Sequence, residues 1–206
     1  MTDAWRADAA AWWASPAWLT YEHAYGDQPG DRRRALQFAD WKTRVLDITP
    51  EPIAILRGMR KGRRSDIAAG LKRWTPAGEQ WAMDHYVDLH QTVYRMPRVP
   101  LTYTIQKQWV DAGTAYAVAL TDRGTARLEA AALFIIFRTW AYYASSVTTT
   151  VNATATAVWT GVLECKRRGI TTLELGWQWH AQDAKGQAVE HYKRGFGGVD
   201  VPVRLP

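Results

Sequence analysis

Glu164-Cys165-Lys166-Arg167-Arg168-Gly169-Ile170-Thr171-Thr172-Leu173-Glu174-Leu175-Gly176 is the stretch on which the fold turns. Three cations in succession suit the last turn of a helix, where they meet the negative end of its dipole, and Gly169 provides a stop. Upstream, Ala155, Val158, Trp159, Val162 and Cys165 recur at helical spacing, which predicts an amphipathic helix from about Asn152 to Arg168. Downstream, Thr171 to Leu175 predicts a strand, with Glu174 on the face opposite Leu173 and Leu175.

Working towards the N-terminus, Thr114–Leu120, Ala126–Phe137 and Trp140–Val147 are rich in β-branched and aromatic residues. Turn signals at Asp122-Arg123-Gly124 and Arg138-Thr139 separate them, so they predict consecutive antiparallel strands. Before them, Trp41–Ile48 predicts a strand, and Thr49-Pro50 the start of a helix running to about Lys72. Further helices are expected at about 77–94 and, shorter, at 105–110. Towards the C-terminus, a helix at about 187–194 and a strand at 199–203 complete the order β-β-β-α-β-α-β. The Gly26-Asp27-Gln28-Pro29-Gly30-Asp31 stretch is the best linker, which predicts an N-terminal helical extension over 1–40 and one main domain over 41–206. The expected fold class is α/β: a mixed, mostly antiparallel sheet flanked by helices.

Several folds share that order, and three motifs narrow it. The 164–176 stretch resembles the Fem-like branch of the GNAT acyltransferase superfamily, in which a helix ends in glycine before a hydrophobic-acid-hydrophobic-glycine strand. Gly186 followed by Tyr192-Lys193-Arg194-Gly195-Phe196-Gly197-Gly198 is similar to that branch's closing motif, and Met59-Arg60-Lys61-Gly62-Arg63-Arg64-Ser65-Asp66-Ile67 to its basic helix. The resemblance covers about residues 45–198. It implies a GNAT fold and direct transfer of an acyl or aminoacyl group to an amine, from acyl-CoA (acetyl-CoA) or aminoacyl-tRNA. Acceptors of that branch include cell-wall precursors, but Fem-like ligases usually carry two GNAT modules, and this chain has room for one.

The resemblance implies catalytic roles for Lys193, able to stabilise an oxyanion beside side-chain-free Gly195-Phe196-Gly197-Gly198, and for Glu174, able to deprotonate the attacking amine; a surface lysine and a structural glutamate paired with a neighbouring arginine are the alternatives. Tyr192 falls in the same motif and is a substrate-binding candidate. Acetyl-CoA-binding GNAT proteins carry a glycine-rich loop where the central strand meets the next helix. Here the stretch is Ser145-Ser146-Val147-Thr148-Thr149-Thr150-Val151-Asn152, without glycine. Ser146, Thr148, Thr149, Thr150 and Asn152 are the groups that could hold a phosphate there, with the helix N-terminus.

Arg60 and Arg63 share a helical sector with Leu56, Met59 and Ile67 if one helix runs through Gly62, and Arg64 flanks it. Such arginines need a carboxylate or a ligand anion; a snorkelling basic surface is the alternative. Trp177 and Trp179 follow Gly176 and can stack on a ligand or pack, and His180 is a loop histidine within reach of acid–base work. Cys165 belongs to the apolar stripe.

Composition bounds the rest. The chain has 206 residues, 26 Lys and Arg against 20 Asp and Glu, and 12 tryptophans, four of them Trp5, Trp12, Trp13 and Trp18. Those four are expected to pack a terminal helix onto the core. One cysteine excludes an internal disulfide framework, and no signal peptide or membrane-length apolar run is evident, so a cytoplasmic protein is expected. His85 and His90 are poorly spaced for a metal and none is expected; no Walker loop, nucleophile elbow or dinucleotide fingerprint is present. The net charge of +6, with the basic run from Arg57 to Arg73, leaves a second reading open: a nucleic-acid-binding module on a degenerate GNAT scaffold.

Overall fold

The computed structural model describes residues 4–24, 42–77, 79–94, 98–150, 152–178 and 184–202. Helices α1 (Ala4–Trp13) and α2 (Pro16–Ala24) precede strand β1 (Lys42–Asp47). Then come α3 (Pro52–Arg57), α4 (Lys61–Arg73), β2 (Trp74–Pro76), α5 (Glu79–Tyr94) and α6 (Pro100–Asp111). The second half contains β3 (Ala115–Asp122), β4 (Leu128–Phe137), β5 (Trp140–Thr148), α7 (Ala153–Arg167), β6 (Thr172–Gln178), α8 (Ala184–Arg194) and β7 (Val199–Pro202).

One mixed sheet orders the strands β2-β3-β4-β5-β6-β1-β7, with β5–β6 the parallel pair and the other described pairs antiparallel. Two apolar layers cover it. Trp5, Trp12, Trp13, Trp18 and Tyr21 of α1 and α2 join Met83, Tyr86, Tyr103 and Trp109 on one face, so these tryptophans are core, as expected. The other face packs Ile67 of α4 and Ala155, Val158, Trp159, Val162 and Cys165 of α7 against Val118, Leu120, Phe134 and Leu173. The α/β class, the mixed sheet and the helices before it follow the sequence reading.

The basic helix does not run unbroken. Proline at the first turn of α3 is Pro52, not Pro50, because Asp47 takes both the amide and the hydroxyl of Thr49 and holds that residue in a turn. Gly58 then ends α3, and the chain re-enters a helix at Lys61. The 105–110 helix is longer than expected because Pro100 starts it, and β2 was not anticipated. The 26–31 linker lies outside the described residues.

Candidate active site

Parallel pairing of β5 and β6 is brief. Trp140, Ala141 and Tyr142 stand opposite Thr172, Leu173 and Glu174, and there the rungs end although both strands continue. Sequence alone gives the reason only in part. Ser145 faces Leu133 of β4 while Tyr143 faces Phe134, so Ala144 is an extra residue, a bulge that bends β5 as it leaves β6. On β6, Gly176 has φ +81°, which turns the strand just past Glu174. A notch therefore opens in the middle of the sheet, at the carboxyl ends of its two parallel strands, where ligands of open α/β sheets gather.

Glu174 lies at the closed end of this notch and is 2% exposed. Thr43 of β1 donates its hydroxyl to one carboxyl oxygen at 2.7 Å, and the Trp140 indole N–H donates to the other at 3.1 Å. Burial pushes its pKa up to about 7, although both hydrogen bonds and the charge of Lys193 pull the other way. Lys193, half-buried on α8, is pushed down to about 8 by burial, with Glu174 opposing. A β-carbon placed on Gly176 would stand 3.1 Å from the Tyr142 hydroxyl and 3.3 Å from the Lys193 ammonium, so both polar groups converge on the bare glycine backbone. The fold thus brings together Glu174 and Lys193, and adds Thr43, Trp140 and Tyr142, which sequence reading missed. Their signal was absent because the contacts span 131 residues for Thr43 and 34 for Trp140.

The glycines after Lys193 serve packing. A β-carbon on Gly197 would lie 2.7 Å from the Gly58 carbonyl oxygen, and one on Gly198 2.3 Å from that of Val45, both at positive φ. The close approach is of the protein's own backbone, not of a ligand as the sequence suggested. It docks α8 onto α3 and β1, with the Arg60 amide donating to the Gly195 carbonyl at 3.0 Å.

The three arginines part company because the helix breaks at Gly58. Arg60 caps α4 outside the buried sector and is exposed, its guanidinium 3.3 Å from the His191 ring. Arg64 donates to the carbonyls of Met59 and Arg57 and so closes the end of α3. Arg63 is partly buried, its guanidinium 4.2 Å from the Tyr192 ring centroid and 4.6 Å from that of Phe196, and it donates to the Tyr192 carbonyl. The Tyr192 hydroxyl is buried without a hydrogen-bond partner, and with Tyr143 and Leu56 its ring packs against the second core layer. Tyr143 itself donates to the Ser146 hydroxyl. Buried, with Tyr143 beside it, the Tyr192 phenol is held neutral, well above its ordinary range.

The turn from β5 into α7 is also unlike the expectation. The hydroxyls of Thr149 and Thr150 both donate to the carboxylate of Glu129, and the Thr148 hydroxyl donates to the backbone carbonyls of Thr150 and Glu129. Asn152 sits at φ +72° and its side chain caps nothing. These hydroxyls are committed to acceptors of the protein itself. Trp177 lies in β6 opposite Thr43, with its side chain outside the described set, and Trp179 and His180 lie outside the described residues.

A second polar cluster, unforeseen in sequence, supports the notch from the α5–α6 face. Arg98 donates to the hydroxyls of Tyr86 at 3.0 Å and Ser145 at 2.9 Å, and the Tyr94 hydroxyl donates to the Ser146 carbonyl at 3.3 Å. His90 meets the Tyr103 hydroxyl at 2.9 Å; burial, then the charge of Arg98, push its pKa down to about 4. It is therefore neutral in the core rather than a surface ligand.

No family model and no curated protein matches the sequence. The fold does match solved structures. The crystal structure of FemX superposes with a TM-score of 0.67 over 84% of this chain and 67% of FemX, at 10% identity. The C-terminal domain (DUF2156) of an Agrobacterium fabrum protein designated a lysylphosphatidylglycerol synthetase gives 0.51 over 82% and 62%, at 12% identity. L-PGS from Bacillus licheniformis gives 0.52 over 77% and 57%, at 10% identity. The chain spans about three fifths to two thirds of these proteins and shares their fold.

Proposed function

We propose that the chain is an acyltransferase that moves an acyl or aminoacyl group from a carrier to an amine by direct attack at the β5–β6 notch. The observation that carries this is the Glu174–Lys193 pair, a buried carboxylate and a half-buried ammonium whose proton affinities are drawn together toward neutrality at the point where the sheet opens. Paired groups tuned in this way are what proton transfer near neutral pH requires. The acceptor nitrogen attacks the carbonyl carbon of an ester or thioester and Glu174 takes its proton. A C–N bond forms as the C–O or C–S bond to the carrier breaks, and the departing oxygen or sulfur recovers the proton. Lys193, with the Tyr142 hydroxyl near it, offsets the charge that develops on the carbonyl oxygen. Acyl-CoA and aminoacyl-tRNA are the donors to test first. The acceptor is an amine on a small molecule, a cell-wall precursor or a nucleic acid.

The test follows a labelled acyl group from each donor class to a panel of amines. Transfer that falls on the order of 100-fold or more in both Glu174→Gln and Lys193→Ala supports the reading. Transfer unchanged in both variants, or no transfer from either donor, overturns it. A second reading, a nucleic-acid-binding module, draws on the exposed Arg57, Arg60, Lys61, Lys72 and Arg73 along α3 and α4. It requires affinity for nucleic acid that falls steeply with salt, in the absence of acyl transfer.

A further inference from the structure

The turn between β5 and α7 is where a diphosphate-bearing carrier would sit in this fold: successive amides and the positive end of a helix dipole make an anion site. In this chain that turn holds a carboxylate of its own. Glu129, on β4, is 8% exposed, and its carboxylate accepts the hydroxyls of Thr149, at 2.5 Å, and Thr150. Its main-chain carbonyl accepts the Thr149 amide at 2.9 Å. The Thr150 amide turns to the Thr148 hydroxyl at 3.2 Å, the Ala153 amide to the Thr150 carbonyl at 3.3 Å, and the Ala155 amide to the Asn152 carbonyl at 3.1 Å. Among the described residues, the amides of Thr149, Thr150, Ala153 and Ala155 and the three threonine hydroxyls are thus spent within the turn.

We infer that Glu129 is a specificity-determining residue that fills this turn and bars a diphosphate-bearing acyl donor, so that the carrier is one whose anionic groups are held elsewhere. The inference rests on the acyltransferase reading for its meaning and for the donor comparison below, whereas the CoA-binding measurement stands independently of it. A diphosphate entering the turn would meet a fixed negative charge at close range and find hydroxyls and amides already engaged. Burial alone would favour the protonated acid, but the two threonine hydroxyls and the charges of Arg127 and Arg73 outweigh it and keep Glu129 ionised. Those two arginines are the cations facing the carboxylate, and they offset its charge without freeing the turn's donors.

The experiment measures CoA binding by calorimetry to the wild-type chain and to Glu129→Gln, and compares transfer from acetyl-CoA with transfer from acetyl-pantetheine, the same thioester arm without the diphosphate. Wild type is expected to give no saturable CoA binding, and Glu129→Gln to bind CoA about tenfold or more tightly than wild type, the order expected from removing one like charge. Acetyl-pantetheine is expected to serve as donor at least as well as acetyl-CoA. Saturable micromolar CoA binding to wild type, a folded Glu129→Gln with no gain in affinity, or a preference for acetyl-CoA would each overturn the inference. Should Glu129→Gln fail to fold, the wild-type binding and the two-donor comparison decide alone. CoA binding to wild type leaves the acyltransferase reading standing, whereas absence of transfer from every donor defeats that reading and leaves the exclusion of CoA intact.

Discussion

Tyr142 stands opposite Glu174 on the last rung that joins β5 to β6, and beyond that rung the two strands part. The tyrosine and the glutamate thus mark the closed end of the notch. The Tyr142 hydroxyl and the Lys193 ammonium both stand within about one atomic contact of where a Gly176 side chain would be. The consequences for catalysis and stability can be worked out group by group.

Acyl transfer should show a narrow bell in pH. Its acid limb reflects ionisation of Glu174 near 7 and its basic limb loss of the Lys193 proton near 8. Because the groups interact, the limbs belong to the pair rather than to either residue. Glu174→Gln should abolish the acid limb and lower kcat on the order of 100-fold or more. A pH–rate series on both proteins checks this, and an acid limb that survives in the variant refutes Glu174 as the base.

Thr43→Val removes a hydrogen bond that favours the ionised form of Glu174. The acid limb should move to higher pH by about one unit, and the basic limb, coupled to it through the pair, should move less. The same pH series is the check, and a shift to lower pH would contradict the assigned direction.

Stability should carry the mark of Glu174 with a definite sign. Its proton affinity is higher in the folded chain than the ordinary 4.5, so its contribution is fully present below about pH 4.5 and is lost as pH rises through about 7. That rise is worth about 3 kcal/mol at most, and Lys193 acts in the opposite sense, since its depressed pKa costs stability as pH falls through about 8. Glu174→Gln should therefore gain on wild type between pH 5 and 7 in urea unfolding. A variant that instead loses ground to wild type over that interval would exclude the buried, raised carboxylate.

Gly198→Ala should destabilise the chain by about 2–4 kcal/mol, since φ is +74° and the new methyl would lie 2.3 Å from the Val45 carbonyl oxygen. Denaturant midpoints measure this. Gly62→Ala, where nothing lies within 4 Å of the new atom, is the matched control and should leave stability unchanged or slightly raised.

Arg63→Ala should cost about 1–3 kcal/mol through lost stacking on Tyr192 and Phe196. Arg63→Lys should restore little, because an ammonium cannot lie flat between two rings. Equal stability of Lys and Arg variants would show that charge alone matters there.

Much of this architecture was legible in the sequence, because it depends on local chemistry. The Lys166-Arg167-Arg168-Gly169 stop, the β-branched runs of β3 to β5 and the stripe of α7 each encode their own element over a few residues. Glu174 and Lys193 stood out in the sequence through motifs that lie on single elements, and their catalytic role is the proposal made above. What the sequence by itself could not decide is how distant groups meet. The tertiary structure set Thr43 and Trp140 against Glu174, broke the basic helix so that Arg60, Arg63 and Arg64 took three separate tasks, and turned the threonines after β5 onto Glu129. Each of those outcomes depends on sheet register, bulge position and burial, which fix a side chain's partner and its proton affinity only once strands far apart in sequence lie side by side.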